Sequence, residues 1–414
     1  MPSPALVSWL FLGASLVGAA FTAAALQRPR RLRAFVVPYF LGAWLTSELA
    51  MHHLAWQAVA TVAFVAGGAL GVWPGMVALA IAFASWAGLV ELQRRAARAE
   101  SAYRTALTEG ALGFAAVGER TGHVVRPFTM RHPRVERLRD LAYDDAHPRH
   151  RLDVYRPRVR DGLRPTLLQI HGGGWMIGRK DQQALPLMYH LASRGWVCVA
   201  ANYRLSPHAT FPDHLLDVKR ALAWIRGHGA DYGADPDVVV VTGGSAGGHL
   251  AALLALTAGD PSLQPGFEDV DTSVAGCVPF YGIYDFLDRH GERGRESMRP
   301  FLERYVMKCS PEQEPERWEA ASPIARVHAG APPFFVIHGT HDALAPVEDA
   351  RHFVRLLRET SRQPVLYAEL PGAQHAFETF HSLRTRHTLR AVTHFAEHVV
   401  AARTAPRPLA VPGG

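Results

Sequence analysis

The feature that most constrains the fold of this chain is a strand–turn–helix unit in the second half of the sequence. Four valines, Val238–Val241, predict a buried strand, and an alanine- and leucine-rich run after them predicts a helix. The turn between them reads Gly243-x-Ser245-x-Gly247. Small residues are needed where a strand and a helix nearly touch, and a serine on such a sharp turn is held clear of the sheet. The pattern is typical of a nucleophile elbow.

A glycine-rich loop upstream of this serine predicts a site for a negative oxygen. The loop, Gly172–Gly174, follows a predicted strand at residues 166–171. Backbone N–H groups stabilise the oxyanion of a tetrahedral intermediate best where no side chain blocks their approach. We therefore expect the amides of Gly173, Gly174 and Ala246 to form an oxyanion hole. His171 is expected to orient the loop rather than to act in the chemistry.

A nucleophilic serine also needs a histidine base and a carboxylate that orients it. The chain has 22 histidines, so position must select one. A predicted strand at 333–338 is followed by Asp342, and the next, at 365–370, is followed by His375. The carboxyl ends of parallel strands meet at one sheet edge. We predict that Asp342 and His375 complete a triad with Ser245, and we keep Asp285 and Glu348 as weaker candidates for the acid.

The order of elements from residue 131 to 402 predicts an α/β fold. Strands alternate with helices there, which is typical of a mostly parallel sheet with helices on both faces. Trp175 and Tyr203 each follow a predicted strand and are candidate walls of a substrate pocket. The charged segment Asp285–Pro323 has a helical apolar pattern. We interpret it as a cap over the acyl pocket, with a solvated helix pair as the alternative.

The first 91 residues predict a membrane-embedded region. Apolar runs cover residues 5–26, 34–47, 54–73 and 76–90, and arginine clusters follow the first and last of them. About 20 apolar residues suffice to cross a bilayer, and arginine clusters prefer the cytoplasmic side. Three spans, with residues 34–53 at the interface or packed on the other helices, put both clusters and the large domain in the cytoplasm. Four spans, a signal peptide and a soluble helix bundle are the alternatives.

These observations divide the chain of 414 residues into four parts. We expect a membrane anchor of about three spans at 1–91, an amphipathic helical connector or cap at 92–130, an α/β domain at 131–402 and a loose tail at 403–414. The net charge of +7 comes largely from arginine beside apolar segments, which indicates membrane topology rather than nucleic-acid binding. Cys198, Cys277 and Cys309 have neither disulfide nor metal spacing, and the first two are expected in the core.

Taken together, the motifs resemble the hormone-sensitive-lipase group of α/β-hydrolases. The similarity rests on segments that occur in the family's order: His171–Trp175, Asn202–Pro207, Phe211–Pro212 with Asp217, Asp235–Pro236, Gly243–Gly248, Gly339–Asp342 and His375–Phe377. The resemblance implies a serine carboxylesterase or lipase without a cofactor or metal, whose triad falls on Ser245, Asp342 and His375. The family often has glutamate after the serine turn or after the Ser-Pro segment, where this chain has His249 and His208.

The apolar N-terminal region resembles that of membrane-anchored actinobacterial lipases and esterases, and also that of prenylcysteine methylesterases. The expected partners are a small-molecule ester or lipid substrate and membrane lipids, without nucleic acid. Two alternatives remain open at this point. One is an amide or formamide hydrolase that uses the same triad, and the other is a non-catalytic membrane scaffold.

Overall fold

A computed structural model of the chain describes residues 3–28, 36–112, 126–159, 161–291 and 298–404. The N-terminal helices are α1 (Pro4–Leu26), α2 (Val36–Glu48), α3 (Ala50–Ala66) and α4 (Trp73–Glu109). The strands are β1 (Val135–Ala142), β2 (Arg151–Pro157), β3 (Arg164–Ile170), β4 (Val197–Ala201), β5 (Ala234–Gly244), β6 (Gly276–Phe280), β7 (Phe334–Gly339) and β8 (Val365–Leu370). The main helices among and after the strands are α5 (Leu185–Ser193), α6 (Asp213–His228), α7 (Ala246–Leu256), α8 (Pro315–Ala320), α9 (Val347–Thr360) and α10 (Leu383–Thr404).

The strands form one sheet in the order β1-β2-β4-β3-β5-β6-β7-β8. Strand β2 is antiparallel to both β1 and β4, and all other neighbours are parallel. This arrangement confirms the predicted α/β class. The edge strand β1 was not expected from the sequence, because its charged residues interrupt the alternation by which a strand is recognised.

Alternate side chains of β5 enter two cores on opposite faces of the sheet. Val239 and Val241 belong to a core shared with α6, α7 and α9, whereas Val238 and Val240 belong to a core shared with α5 and α10. Helices therefore cover both faces, as a parallel sheet requires.

The second half of α4 joins the α/β domain. Tyr103 lies in the core beside α10, and its hydroxyl forms a hydrogen bond of 2.7 Å with the Thr388 hydroxyl. Residues 92–109 of the expected connector thus continue one long helix onto the sheet. Residues 113–125 of that connector and residues 405–414 of the expected tail lie outside the described residues.

Within the described residues, α1 and α4 are long and apolar enough to cross a membrane. The number rises to three if α2 and α3, which are bent by 90° relative to each other, count as one span. The turn expected at residues 74–75 lies earlier, at 67–72, because proline fits the first turn of a helix and Pro74 stands at the start of α4. These helices indicate membrane association. The three-span topology and the cytoplasmic side of the domain stay predictions.

Candidate active site

Ser245 lies between the end of β5 and the start of α7, as the sequence pattern predicts. Its backbone has a φ of 59° and a ψ of −123°, which is strained for a residue other than glycine. A Cβ atom on Gly247 would lie 2.1 Å from the carbonyl oxygen of Ile170, and one on Gly243 would lie 2.5 Å from the carbonyl carbon of Gly247. Glycine alone lets the two backbones come this close, and the N-terminus of α7 lies directly behind the serine.

Asp342 and His375 follow β7 and β8 and meet at the carboxyl edge of the sheet. Nδ1 of His375 is 2.7 Å from Oδ2 of Asp342. The other carboxylate oxygen accepts the N–H groups of Leu344 and Ala345 at 2.8 and 2.7 Å. Burial alone would raise the pKa of Asp342, but the nearby histidines, His375 first, hold that pKa well below its ordinary range. An ionised carboxylate in this position orients the imidazole and keeps its proton on Nδ1.

The two weaker candidates for the acid have other contacts. Asp285 accepts the N–H groups of Leu287 and Arg289 at 3.1 and 2.7 Å, so it caps the turn that follows it. Glu348 forms an ion pair with Arg28. Asp342 is the candidate acid that contacts His375.

Tyr281, at the end of β6, connects the serine turn with the histidine loop. Its ring centroid lies 4.4 Å from that of His375. Its hydroxyl oxygen lies 2.6 Å from the position that a Cβ atom on Gly244 would take, next to Ser245. The sequence did not single out this tyrosine. The signal that could have found it is its place at the carboxyl end of the strand beside β5.

A buried carboxyl group forms a hydrogen bond with Tyr281. The tyrosine hydroxyl donates a hydrogen bond to Glu378, three residues after His375. Glu378 is buried, and burial raises its pKa to about 7. The side chains around the histidine therefore include a carboxyl group that can be neutral near neutral pH.

The glycine-rich loop lies beside Ser245. A Cβ atom on Gly172 would be 3.1 Å from the Cβ atom of Ser245. Gly173 and Gly174 have φ values of 116° and 58°, a region that favours glycine. The N–H group of Gly172 donates to Oε1 of Gln183 at 2.6 Å, so this amide is already used. The role of the Gly173 and Gly174 amides as oxyanion donors stays a prediction.

His171 and Tyr203 hold the loop from behind. Their rings stack with centroids 4.4 Å apart, and the Tyr203 hydroxyl donates to the His171 carbonyl oxygen at 3.0 Å. Burial lowers the pKa of His171 to about 4, so its imidazole is neutral at neutral pH. Tyr203 is fully buried. Its contacts suit a role in holding the loop, and direct contact with a substrate stays a prediction.

Trp175 is buried beneath the same loop. Its Nε1–H group donates to Nδ1 of His249 at 3.3 Å, and the His249 ring stacks on Phe286 with centroids 4.6 Å apart. Burial lowers the pKa of His249 to about 3, so a neutral imidazole stands where the family often has a carboxylate. A role for Trp175 as a pocket wall stays a prediction.

The described part of the expected cap packs against the domain. Leu302 and Trp318 are fully buried in the core with Phe286. The Phe301 ring reaches the glycine-rich loop, 3.5 Å from the position of a Cβ atom on Gly174. This segment is therefore not a solvated helix pair. Residues 292–297 lie outside the described residues.

The part of the chain that the structure describes contains no group of three or more His, Cys, Asp or Glu side chains placed to hold a metal ion. The three cysteines are buried free thiols, which confirms the core positions expected for Cys198 and Cys277.

Known proteins resemble this chain in sequence. A family model described as BD-FAE matches residues 152–357. The probable carboxylic ester hydrolase LipM of Mycobacterium tuberculosis is 51% identical over 268 residues, which cover 64% of this chain and 62% of LipM. Esterase LipC of the same organism is 43% identical over 66% of this chain and 68% of LipC. The match thus spans less than two thirds of LipM's own length.

Solved structures resemble the α/β domain as well. A thermophilic esterase from Thermogutta terrifontis, Est2 with bound butyrate, has a TM-score of 0.55 and 26% sequence identity over 68% of this chain and 98% of that one. The matched proteins are named as ester hydrolases, the class that the sequence motifs predict. On this similarity and the sheet topology, the chain belongs to the α/β-hydrolase family, among esterases of the hormone-sensitive-lipase-like group.

Proposed function

We propose that this chain is a serine carboxylester hydrolase that works through an acyl-enzyme. The observation that carries the proposal is the pair of Asp342 and His375, 2.7 Å apart at the sheet edge where the strained Ser245 turn also lies. Similarity to proteins named as ester hydrolases supports the same reaction class. The proposed substrates are lipophilic esters or esters of short to medium acyl length, and no cofactor takes part.

In the proposed first half-reaction, Nε2 of His375 removes the proton of Ser245 as the serine oxygen attacks the ester carbonyl carbon. The N–H groups of Gly173, Gly174 and Ala246 stabilise the resulting oxyanion. Collapse of this intermediate breaks the bond to the alcohol oxygen, which takes the proton from the histidine. The products are the free alcohol and an acyl group esterified to the serine.

In the proposed second half-reaction, a water molecule attacks the acyl carbon while His375 accepts its proton. The intermediate collapses, the carboxylic acid leaves and Ser245 regains its proton. Asp342 stays ionised throughout and stabilises the imidazolium that forms in each half. The low pKa of its buried carboxyl group supports this role.

We further propose that membrane lipids surround the N-terminal helices and that the α/β domain lies on the cytoplasmic side. The arginines that follow the apolar runs support this orientation, because positive charge is retained in the cytoplasm. The expected substrate is a small ester or lipid, and nucleic acid is not a partner.

The test compares wild type with Ser245→Ala in membranes of an expressing host, on aryl esters of increasing acyl length. We expect the substitution to lower kcat about ten-thousand-fold or more, because it removes the nucleophile. A fluorophosphonate probe should label wild type and leave the variant unlabelled. The matched control is Ser101→Ala, on the exposed surface of α4, which should keep both ester turnover and labelling by the probe.

Amide, formamide and prenylcysteine methyl ester substrates belong in the same panel, since the same triad could act on each of them. Preference for one of these would replace the general ester assignment. A well-folded wild type that neither turns over an ester nor reacts with the probe would contradict the proposal, and the non-catalytic scaffold would take its place.

A further inference from the structure

Helix α2, from the apolar N-terminal region, contacts the loop that carries the histidine. The Phe40 ring meets the His375 ring edge-on, with centroids 6.1 Å apart at an angle of 80°. One helical turn later, Nε1 of Trp44 donates to the carbonyl oxygen of Ala376 at 2.9 Å. The Trp44 ring also lies 5.1 Å from that of Phe380. Two aromatic side chains from outside the α/β domain thus reach the proposed base and its neighbours.

A buried ion pair fixes α2 in this position. Glu48, at the end of α2, pairs with Arg384 of α10, and both side chains are almost fully buried. The Ser382 hydroxyl donates to the same carboxylate at 2.9 Å. Removing either member of a buried ion pair leaves the other charge unpaired, which is costly, so the pair ties α2 to α10. The contact with the histidine loop is therefore held by the fold.

The neighbouring face of α2 is apolar and exposed. Val37, Leu41 and Leu45 recur every four residues on that face and are not covered by the rest of the chain. The helix also adjoins α1, since the Tyr39 hydroxyl donates to the Ala24 carbonyl oxygen at 2.7 Å. Because α1 is apolar and long enough to cross a membrane, the exposed face of α2 continues a surface suited to lipid.

We infer that α2 forms a wall of the acyl-binding site with Phe40 and Trp44 and contacts the bilayer with the face beside them, so that the substrate is a long-chain acyl ester taken from the lipid phase. This inference rests on the proposed function and adds its substrate class. The acyl chain passes along Phe40 and Trp44 on its way to Ser245. Both aromatic side chains are only partly buried, so they have surface left for such a contact.

Exposed aromatic surface continues beyond Trp44. Phe128 is 65% exposed, and its ring lies 5.5 Å from that of Phe380, which Trp44 also contacts. Aromatic side chains at the mouth of a site suit an apolar chain that enters from a membrane interface.

The test uses the full chain in phosphatidylcholine vesicles and two substrates. One is p-nitrophenyl acetate, which is soluble in water, and the other is p-nitrophenyl palmitate, dissolved in the bilayer. For Phe40→Ala and Trp44→Ala we expect the ratio of kcat/KM for palmitate to that for acetate to fall about tenfold, because contacts along the acyl chain are lost. The ratio does not depend on the fraction of protein that folds. Trp44→Phe, which keeps a ring, should restore most of it.

The matched control is Phe83→Ala. This aromatic residue of α4 is 55% exposed, as part of the apolar N-terminal surface, and contacts the Trp86 ring. Its removal should leave the ratio unchanged. An unchanged ratio in both Phe40→Ala and Trp44→Ala, with fluorophosphonate still labelling Ser245, would overturn the inference and leave the proposed function standing. Wild type without labelling or turnover of either ester would overturn the proposed function, and the inference with it.

Discussion

Helices α1 and α7 have similar apolar compositions and opposite surroundings. Every residue of α7 is buried between the sheet and its neighbouring helices, whereas α1 exposes large apolar side chains along much of its length. A helix that is apolar all round needs either protein or lipid around it. Protein surrounds α7, but it covers only part of α1. Composition alone therefore does not separate a core helix from a membrane helix, and the neighbours of each helix do.

The largest expected effect comes from replacing one leucine by arginine in α7 and, for comparison, in α1. Leu253→Arg in α7 should prevent folding, because the side chain is fully buried and the new charge has no partner. Leu16→Arg, at a position in α1 that is 52% exposed, should cost about 3 kcal/mol if lipid covers that face. The measurement is the amount of full chain that stays in membranes after alkaline extraction, together with its resistance to protease.

The contrast between α1 and α7 would be contradicted if Leu16→Arg changed neither the amount of protein retained in membranes nor its resistance to protease. That outcome would place this face of α1 in water and favour the soluble bundle over the membrane anchor.

A smaller and opposite pair of effects is expected from glycine substitutions. Gly247→Ala should destabilise the domain by about 3 kcal/mol or more, because its Cβ atom would overlap the carbonyl oxygen of Ile170. Gly13→Ala in α1 should stabilise the helix by up to about 1 kcal/mol, since no atom lies within 4 Å of the added Cβ atom and alanine favours helix. Thermal unfolding of both variants in detergent checks the signs. Equal effects would mean that α7 has as much space beside the sheet as α1 has at its surface.

A third expected effect concerns how dry the interior beside the active site is. Because burial raises the pKa of Glu378 from its ordinary value of 4.5 to about 7, the folded protein keeps a proton that the unfolded chain releases. The contribution of this proton to the free energy of unfolding is fully present below pH 4.5. It falls as the pH rises towards 7 and stays low above that pH. Glu378→Gln should remove this dependence in unfolding midpoints measured across that range.

The control for this measurement is Glu359→Gln, an exposed glutamate of α9, which should keep the pH dependence of wild type. If wild type and Glu378→Gln gave parallel curves, the carboxyl group would be ionised in the folded protein. The interior behind Tyr281 would then be wetter than its burial implies.

Local sequence signals predicted much of the α/β domain because they depend on near neighbours in the chain. The limits of β8 agree with the strand expected at residues 365–370. Strand β1 was missed, since charged residues on an exposed edge do not alternate with apolar ones. The expected break between residues 53 and 54 lies at Leu49 instead, because an unbroken apolar sequence carries little information about where a helix bends.

The candidate site divides in the same way. Asp342 and His375 could be predicted because parallel strands bring their carboxyl ends to one edge, and the 2.7 Å contact between them follows that rule. The ring contacts that Tyr281 and Phe40 make with His375 could not be predicted, because they depend on how side chains from separate elements pack. For the contact between α2 and the α/β domain, the signal in the sequence was Glu48, a charge that interrupts an apolar stretch.

The sequence by itself determined the serine turn and its glycines, and it predicted the order of serine, acid and histidine. The backbone sterics at Gly247 depend on a short segment of the chain. The order of the motifs can be read directly from the sequence, so neither needs the tertiary structure. Only the tertiary structure decided that α2 lies against His375, that Glu48 pairs with Arg384 and that α7 is buried while α1 is exposed. Each of these depends on contacts between residues far apart in the chain, which form only when the whole molecule packs.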